Sequence, residues 1–303
     1  MKKWVCFLIL IVGGMILAPD ALAQFSIGIS PLTFEISANP GDKVENYLKV
    51  YNPSPDTNVQ IGMIIEDIAP TGEWGHVIVE AAETETYSLA KWISTEPKEF
   101  NLAPKEEKFV KFTLNIPENA EPGGHYGTVI AGAKVVAGPG ATGVVIAPRI
   151  GSLVLLTVTG VLEEELVVKD FSVNRRYFDQ GPIPFSISFE NKGTVHVKPV
   201  ALVTITDLRG KKVADLQLAQ RNVLPNAARK FDTSWDQKWL FGGKYIATLS
   251  GNYGIGNVPL SSQVITFWAF PWKVGLGILI LIILLILSRR RWLAAFRVLI
   301  KGE

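Results

Sequence analysis

Lys43-Val44-Glu45-Asn46-Tyr47-Leu48-Lys49-Val50-Tyr51-Asn52-Pro53-Ser54-Pro55-Asp56 is the stretch that decides the fold class of this 303-residue chain. Val44, Asn46, Leu48 and Val50 alternate with Glu45, Tyr47, Lys49 and Tyr51, which is the period of a strand with one wet face, and Asn52 to Asp56 is turn chemistry. The pattern repeats on both sides. Val59, Ile61, Met63 and Ile65 form another such set, and Val110, Phe112, Leu114 and Ile116 oppose Lys111, Thr113 and Asn115. Turn signals at Asn39-Pro40-Gly41-Asp42, Pro70-Thr71-Gly72, Pro117 to Gly124 and Gly138-Pro139-Gly140 separate the strands. Short strands at this spacing define an all-β sandwich.

Further along, Glu163-Glu164-Glu165 breaks the pattern after the apolar strand Ser152 to Thr159, and a second strand series opens with Leu166 to Val173. Phe185, Ile187 and Phe189, then Ala201, Val203 and Ile205, then Tyr245, Ala247 and Leu249 mark its inward faces. We therefore expect two tandem Ig-like sandwiches, at 24–160 and 161–266. Val50-Tyr51-Asn52 and Phe189-Glu190-Asn191 echo each other, each closing a strand ahead of a turn.

The termini are different in kind. Lys2 and Lys3 precede an apolar run from Val5 to Ala18, and Ala21-Leu22-Ala23 offers the small-x-small pattern of a signal peptidase site, so cleavage is expected between Ala23 and Gln24. Cys6, the chain's one cysteine, leaves with that peptide and lies too early to carry a lipid. The mature chain then has no disulfide, thiolate metal site or cysteine nucleophile. Phe267 to Leu287 is 21 residues, roughly 31 Å as a helix, which matches the hydrocarbon thickness of a bilayer. Trp268, Trp272 and Lys273 sit at its outer edge and Arg289, Arg290 and Arg291 at the inner, where aromatic rings and cations belong. The expected topology is type I and single-pass, ending in a basic cytoplasmic tail at 288–303. The whole chain carries a net charge of +2, but residues 24–266 hold 22 cations and 26 anions, a net charge of −4. That acidic balance gives no footprint for nucleic acid.

Motifs that resemble chemistry fail on context. Gly138-Pro139-Gly140-Ala141-Thr142-Gly143 fits G-x-G-x-x-G, with Glu163 at the spacing of a ribose ligand. A dinucleotide site needs a helix next, and the β-branched Val144-Val145-Ile146 cannot open one well. Ser88-Leu89-Ala90-Lys91 fits S-x-x-K, but the segment alternates as a strand, so serine and lysine face opposite sides. His76, His125 and His196 have no paired spacing, so no metal is expected. No cofactor is implied, and no pair of carboxylates is singled out for glycoside hydrolysis.

The first strand series carries a resemblance: Ile29-Ser30-Pro31, Phe34, Pro40-Gly41, Asn52, Trp92-Ile93, Phe100-x-Leu102-x-Pro104, Ile116-Pro117 and Pro122-Gly123-Gly124-His125-Tyr126-Gly127. Together with the layout, these residues resemble the WxL-interacting surface proteins of Gram-positive cell walls; pilus-chaperone-like Ig domains are a more distant likeness. The resemblance implies an N-terminal Ig-like domain that binds peptidoglycan, a second that engages a protein partner, one membrane helix and a basic tail.

Three readings follow. The first is a non-catalytic, membrane-anchored cell-surface binder of peptidoglycan, another surface glycan or a secreted protein. Trp74, Tyr126, Trp235 and Trp239 are its candidate contact residues, because flat rings near turns suit sugars and protein partners. The alternative is a membrane-bound assembly chaperone that works by strand addition, with Arg149 anchoring a client carboxylate. A wall hydrolase is the third.

Overall fold

The computed structural model describes residues 27–79, 87–134, 148–238 and 243–301, with side chains in the final helix described as far as Arg289. The segment read as a signal peptide, and its expected cleavage point between Ala23 and Gln24, lie outside these residues. So do the Gly138 to Gly143 loop, Trp239 and the side chains of Arg290 and Arg291.

The fold is all-β, with two sandwiches followed by one apolar helix. The first comprises β1 (Gly28–Ser30), β2 (Thr33–Ala38), β3 (Lys43–Tyr51), β4 (Val59–Thr71), β5 (His76–Val79), β6 (Ile93–Glu96), β7 (Glu99–Leu102), β8 (Glu107–Asn115), β9 (Gly123–Lys134) and β10 (Arg149–Val158). One sheet runs β1-β3-β8-β6; the other runs β2-β10-β9-β4-β5, with β7 also on β4. The chain changes sheet between β1 and β2, at Pro31, which has no N–H to give to a ladder. The expected alternation is realised: Leu48, Val50, Ile61, Val110, Phe112 and Leu114 are fully buried between the sheets. Each such side chain contributes about 1.5–3 kcal/mol of transfer free energy.

The second sandwich comprises β11 (Leu166–Val173), β12 (Tyr177–Phe178), β13 (Ile183–Asn191), β14 (Val200–Asp207), β15 (Lys212–Gln217), β16 (Ala228–Trp235), β17 (Gly243–Tyr253), β18 (Val258–Pro259) and β19 (Gln263–Ala269). Its sheets run β11-β13-β16 and β12-β19-β17-β14-β15, with β18 on β17. Phe185, Phe189, Phe231 and Phe267 fill the space between them.

The echo seen in the sequence is structural. Asn52 and Asn191, both buried, end β3 and β13 in the same way. Asn52 Nδ2 donates to the carbonyls of Thr57 and Ala103 (2.7 and 3.0 Å), and its Oδ1 accepts from Ser54 N (3.0 Å). Asn191 Nδ2 donates to the carbonyls of Val195 and Val223 (2.7 and 2.8 Å), and its Oδ1 accepts from Gly193 N (2.9 Å).

The helix begins later than the apolar run suggested. Phe267, Trp268 and Ala269 belong to β19, and α1 spans Trp272–Lys301. Ile265, Phe267 and Ala269 keep the period of a strand, and Phe267 stacks on Tyr245 (5.6 Å) in the core, so packing overrides the membrane-like composition. Pro271 precedes the first turn, and its carbonyl accepts from Val274 and Gly275. Trp272–Arg289 has a mean hydropathy of 2.1 and is long and apolar enough to cross a membrane. The helix continues to Lys301, through residues expected to form a basic tail.

Candidate functional site

The outer face of the β2-β10-β9-β4 sheet is where the two sandwiches meet. Ile68, Tyr126 and Leu155 form a small buried cluster there, with Leu224 of the second sandwich packed against them. Tyr126 is only 2% exposed. Its hydroxyl meets His196 Nδ1 at 3.4 Å, and burial pushes its pKa up. The glycines of Pro122-Gly123-Gly124-His125-Tyr126-Gly127 serve this seam. A Cβ on Gly124 would stand 1.8 Å from the Tyr126 hydroxyl oxygen, and Gly124 N donates to the carbonyl of Thr194 (2.9 Å) in the second sandwich. The motif therefore sets how the sandwiches join.

Around the cluster lie polar clasps. Lys198 Nζ reaches both oxygens of Glu35 (2.7 and 2.8 Å), and Asn222 Nδ2 donates to the same carboxylate (2.8 Å). Burial works against charge on Glu35, but the hydrogen bonds of Lys198 and Asn222 and the ammonium charge outweigh it, leaving its pKa lowered. His196 is shifted down, chiefly by burial; Glu35 opposes the shift and Lys198 adds to it. A cleft of about 290 Å³ opens beside these groups, lined among others by Glu35, Leu153, Leu155, Lys198, Asn222 and Arg229. At the far side the β4–β5 turn rests on β16: Lys230 N donates to the Glu73 carbonyl, and Glu73 pairs with Lys169 at 3.1 Å.

The residues predicted to bind a ligand scatter. Tyr126 is in the seam, and Trp235 is in the second core, 5.2 Å from Tyr245. Neither offers a ring face to solvent; ring packing at long sequence separation, invisible in local pattern, takes them inward. Trp74 is exposed in the β4–β5 turn, with Lys230 Nζ 5.2 Å above its ring. Trp268, Trp272 and Lys273 cluster where β19 gives way to α1, and Lys273 Nζ pairs with Asp179 at 2.9 Å. Arg289 lies at the other end of the apolar window. Ser88 and Lys91 are not on a strand. Asp67 binds Ser88 Oγ (2.7 Å) and the N–H groups of Leu89 and Ala90 (2.8 and 2.7 Å), folding Ala90–Trp92 into a single 3-10 turn. Among the described residues no His, Asp or Glu cluster could hold a metal ion.

Arg149 occupies a distinctive place. β10 pairs with β9 along its whole length but with β2 only from Leu153 to Val158. Leu153 N donates to Leu32 and Thr159 N to Ala38, on the β2 side, while the Pro148 carbonyl accepts from Ala133, on the β9 side. By alternation the N–H and C=O groups of Arg149 and Gly151 point away from β9, and no described strand lies beside them. The Arg149 side chain is exposed there, as is Leu32 at the start of the covered stretch. Among the described residues this edge is unpaired, which makes it a template for another strand.

The sequence reasoning also passed over a surface. On the outer face of the β1-β3-β8-β6 sheet Tyr47 is 59% and Phe109 66% exposed, with Tyr51 near them. Register places Lys111 opposite Tyr47 and Lys49 opposite Phe109. The signal was available: these rings occupy the polar phase of their strands.

No family model matches the chain, so the resemblance to WxL-interacting proteins stands on the quoted residues alone, and no curated protein matches it either. Among solved structures it is similar to the class 5 fimbriae chaperone CfaA, at 16% identity and a TM-score of 0.40, over 81% of this chain and 100% of that one. It is also similar to the chaperone–tip adhesion subunit pre-assembly complex CsuC–CsuE of the archaic Csu pili of Acinetobacter baumannii (15%, TM-score 0.37, 82% and 100%). A third is the Salmonella enterica SafA pilin in complex with the SafB chaperone (12%, TM-score 0.39, 81% and 98%).

Proposed function

We propose that this chain is a membrane-anchored binding protein of type I topology, with no bond chemistry of its own, that takes a strand of a protein client onto the open start of β10. The observation that carries this reading is the pair of outward-facing backbone groups at Arg149 and Gly151 with no described strand beside them. A client strand would satisfy them at a net gain of about 1 kcal/mol per hydrogen bond. Arg149 adds a two-pronged contact for a client carboxylate. Tethering by α1 raises the local concentration of the site near the surface, so modest affinity suffices.

The test is photo-crosslinking in cells from a benzoylphenylalanine at Leu32. Arg149→Pro removes an outward N–H without touching the β9 ladder, and Arg149→Ala removes only the side chain. A discrete client adduct is expected, falling about ten-fold or more with proline, since each lost contact of roughly 1.4 kcal/mol is a decade. An adduct that persists in a folded Arg149→Pro protein overturns the reading.

A second reading, attachment to peptidoglycan or another surface glycan, is favoured by one observation, the exposed Tyr47 and Phe109 rings, which suit stacking on sugars. It expects the exported region to be retained on purified sacculi and released by Tyr47→Ala with Phe109→Ala. Equal retention of the double variant would remove its support.

A further inference from the structure

The register of the second sandwich gathers two loops and the start of β17 at the end where α1 begins. Tyr177 pairs with Trp268 and Gly243 with Ala269, while Asp207 pairs with Tyr245, itself opposite Phe267. The Arg175–Tyr177 corner, the β14–β15 turn and the first residue of β17, Gly243, thus share one level. That level lies roughly 10 Å from the first helical turn at about 3.3 Å per residue. Only Phe270 and Pro271 separate β19 from α1, so this end of the sandwich has no slack with which to stand clear of a bilayer.

The same end is basic within an acidic stretch of the chain. Residues 175–179, 207–212, 236–238 and 243–244 carry seven Lys or Arg against three Asp, although residues 24–266 as a whole have a net charge of −4. All three acids are already engaged, Asp236 by Ser234 Oγ (2.7 Å), and of the cations Lys212 is paired with Asp215 (2.8 Å). Asp207 Oδ1 accepts from the N–H groups of Arg209 and Lys211 (both 2.9 Å), and Asp179 is paired with Lys273. Arg175, Arg176, Arg209 and Lys211 are exposed and form no ion pair among the described residues. Between these cations stand exposed apolar groups, Tyr177 at 73% and Leu208 at 68%. β12 is the neighbour of β19 on one side, and the β14–β15 turn lies two strands away on the other, roughly 10 Å. The cations therefore flank the point where the helix enters.

We infer that this end of the second sandwich is a membrane-docking surface, with Arg175, Arg176, Arg209 and Lys211 binding anionic phospholipid headgroups while Tyr177 and Leu208 enter the interface. Cations near an anionic leaflet are attracted to it, and aromatic and apolar tips settle at headgroup depth. The inference rests on α1 crossing the bilayer.

The experiment uses the full chain in a Cys6→Ser background, with single nitroxide labels at Leu208, Val161 or Leu281. The protein is placed in nanodiscs of phosphatidylcholine with or without phosphatidylglycerol. A water-soluble relaxing agent should reach the Val161 label freely, miss the Leu281 label, and lose access to the Leu208 label only when phosphatidylglycerol is present. Arg209→Glu and Lys211→Glu should restore that access, with the docked-to-free ratio falling about five-fold or more per cation reversed, while the unfolding temperature stays unchanged. A Leu208 label as accessible as that at Val161, with Leu281 in lipid, overturns the docking alone. Equal protection in both lipids overturns the choice of anionic headgroups. A Leu281 label in water overturns the membrane span and the docking together.

Discussion

The two sandwiches solve the same problem at their last strands and arrive at different ends. In each, that strand has one antiparallel neighbour, β9 for β10 and β17 for β19, and is capped in parallel by an early strand: β10 by β2 over six residues, β19 by β12 over two. The cap on β10 stops short of Arg149, whereas the cap on β19 lies against the root of α1 and leaves Gln263 to Ile265 uncovered. Both domains thus retain an edge, but only that of β10 presents an exposed cation and stands at the distal sandwich. Shared architecture does not by itself assign a role; the uncovered end of the strand does.

The largest test of the comparison lies in its common feature. Asn191→Ala leaves two buried carbonyls without a donor and Asn52→Ala leaves one buried and two part-buried carbonyls without one, which costs about 2–4 kcal/mol each. Calorimetry should show each substitution lowering the unfolding temperature, Asn191→Ala more so because its partners are the more deeply buried. A near-neutral Asn52→Ala breaks the equivalence of the two sites. Next comes the edge itself. Val264→Pro, placed on the uncovered part of β19, should leave the client adduct within about two-fold of wild type, against the ten-fold loss expected for Arg149→Pro. Equal losses would mean that neither edge is special.

The smallest effect concerns the seam. His196 is held below its ordinary value of 6.5 by burial, with Glu35, Lys198 and the Tyr126 hydroxyl facing it. The unfolded chain therefore takes up the proton first as pH falls. Stability is undiminished above about pH 6.5, declines as pH drops from there through the lower folded value, and then levels. Denaturation midpoints should fall between neutral pH and about pH 5, and His196→Asn should flatten part of that slope. A slope unchanged in the variant removes His196 from the account.

How much of this was legible depends on range. The strands could be read because alternation is local, and the Asn52–Asn191 echo because the same side chain closes both strands. The helix start could not, since Phe267 to Ala269 satisfy a strand and a membrane span alike, and only contact with Tyr245 decides between them. Ser88 to Lys91 was misread for a similar reason: the carboxylate that folds it lies at Asp67, on another strand. Tyr126 and Trp235 look like surface rings in local sequence because their partners, His196 and Phe267, are distant in the chain. Arg149 can be placed on its strand from the alternation, but the limit of the strand's cap cannot be read locally.

The short join between β19 and α1 has a mechanical consequence. Tension on a client held at the distal sandwich would run down β19 along the strand axis, where the rungs to β17 from Gly243↔Ala269 to Leu249↔Gln263 are loaded together and not one at a time. A sheet strained in that direction yields by shear, its stiffest mode, so this attachment transmits force to the bilayer with little give.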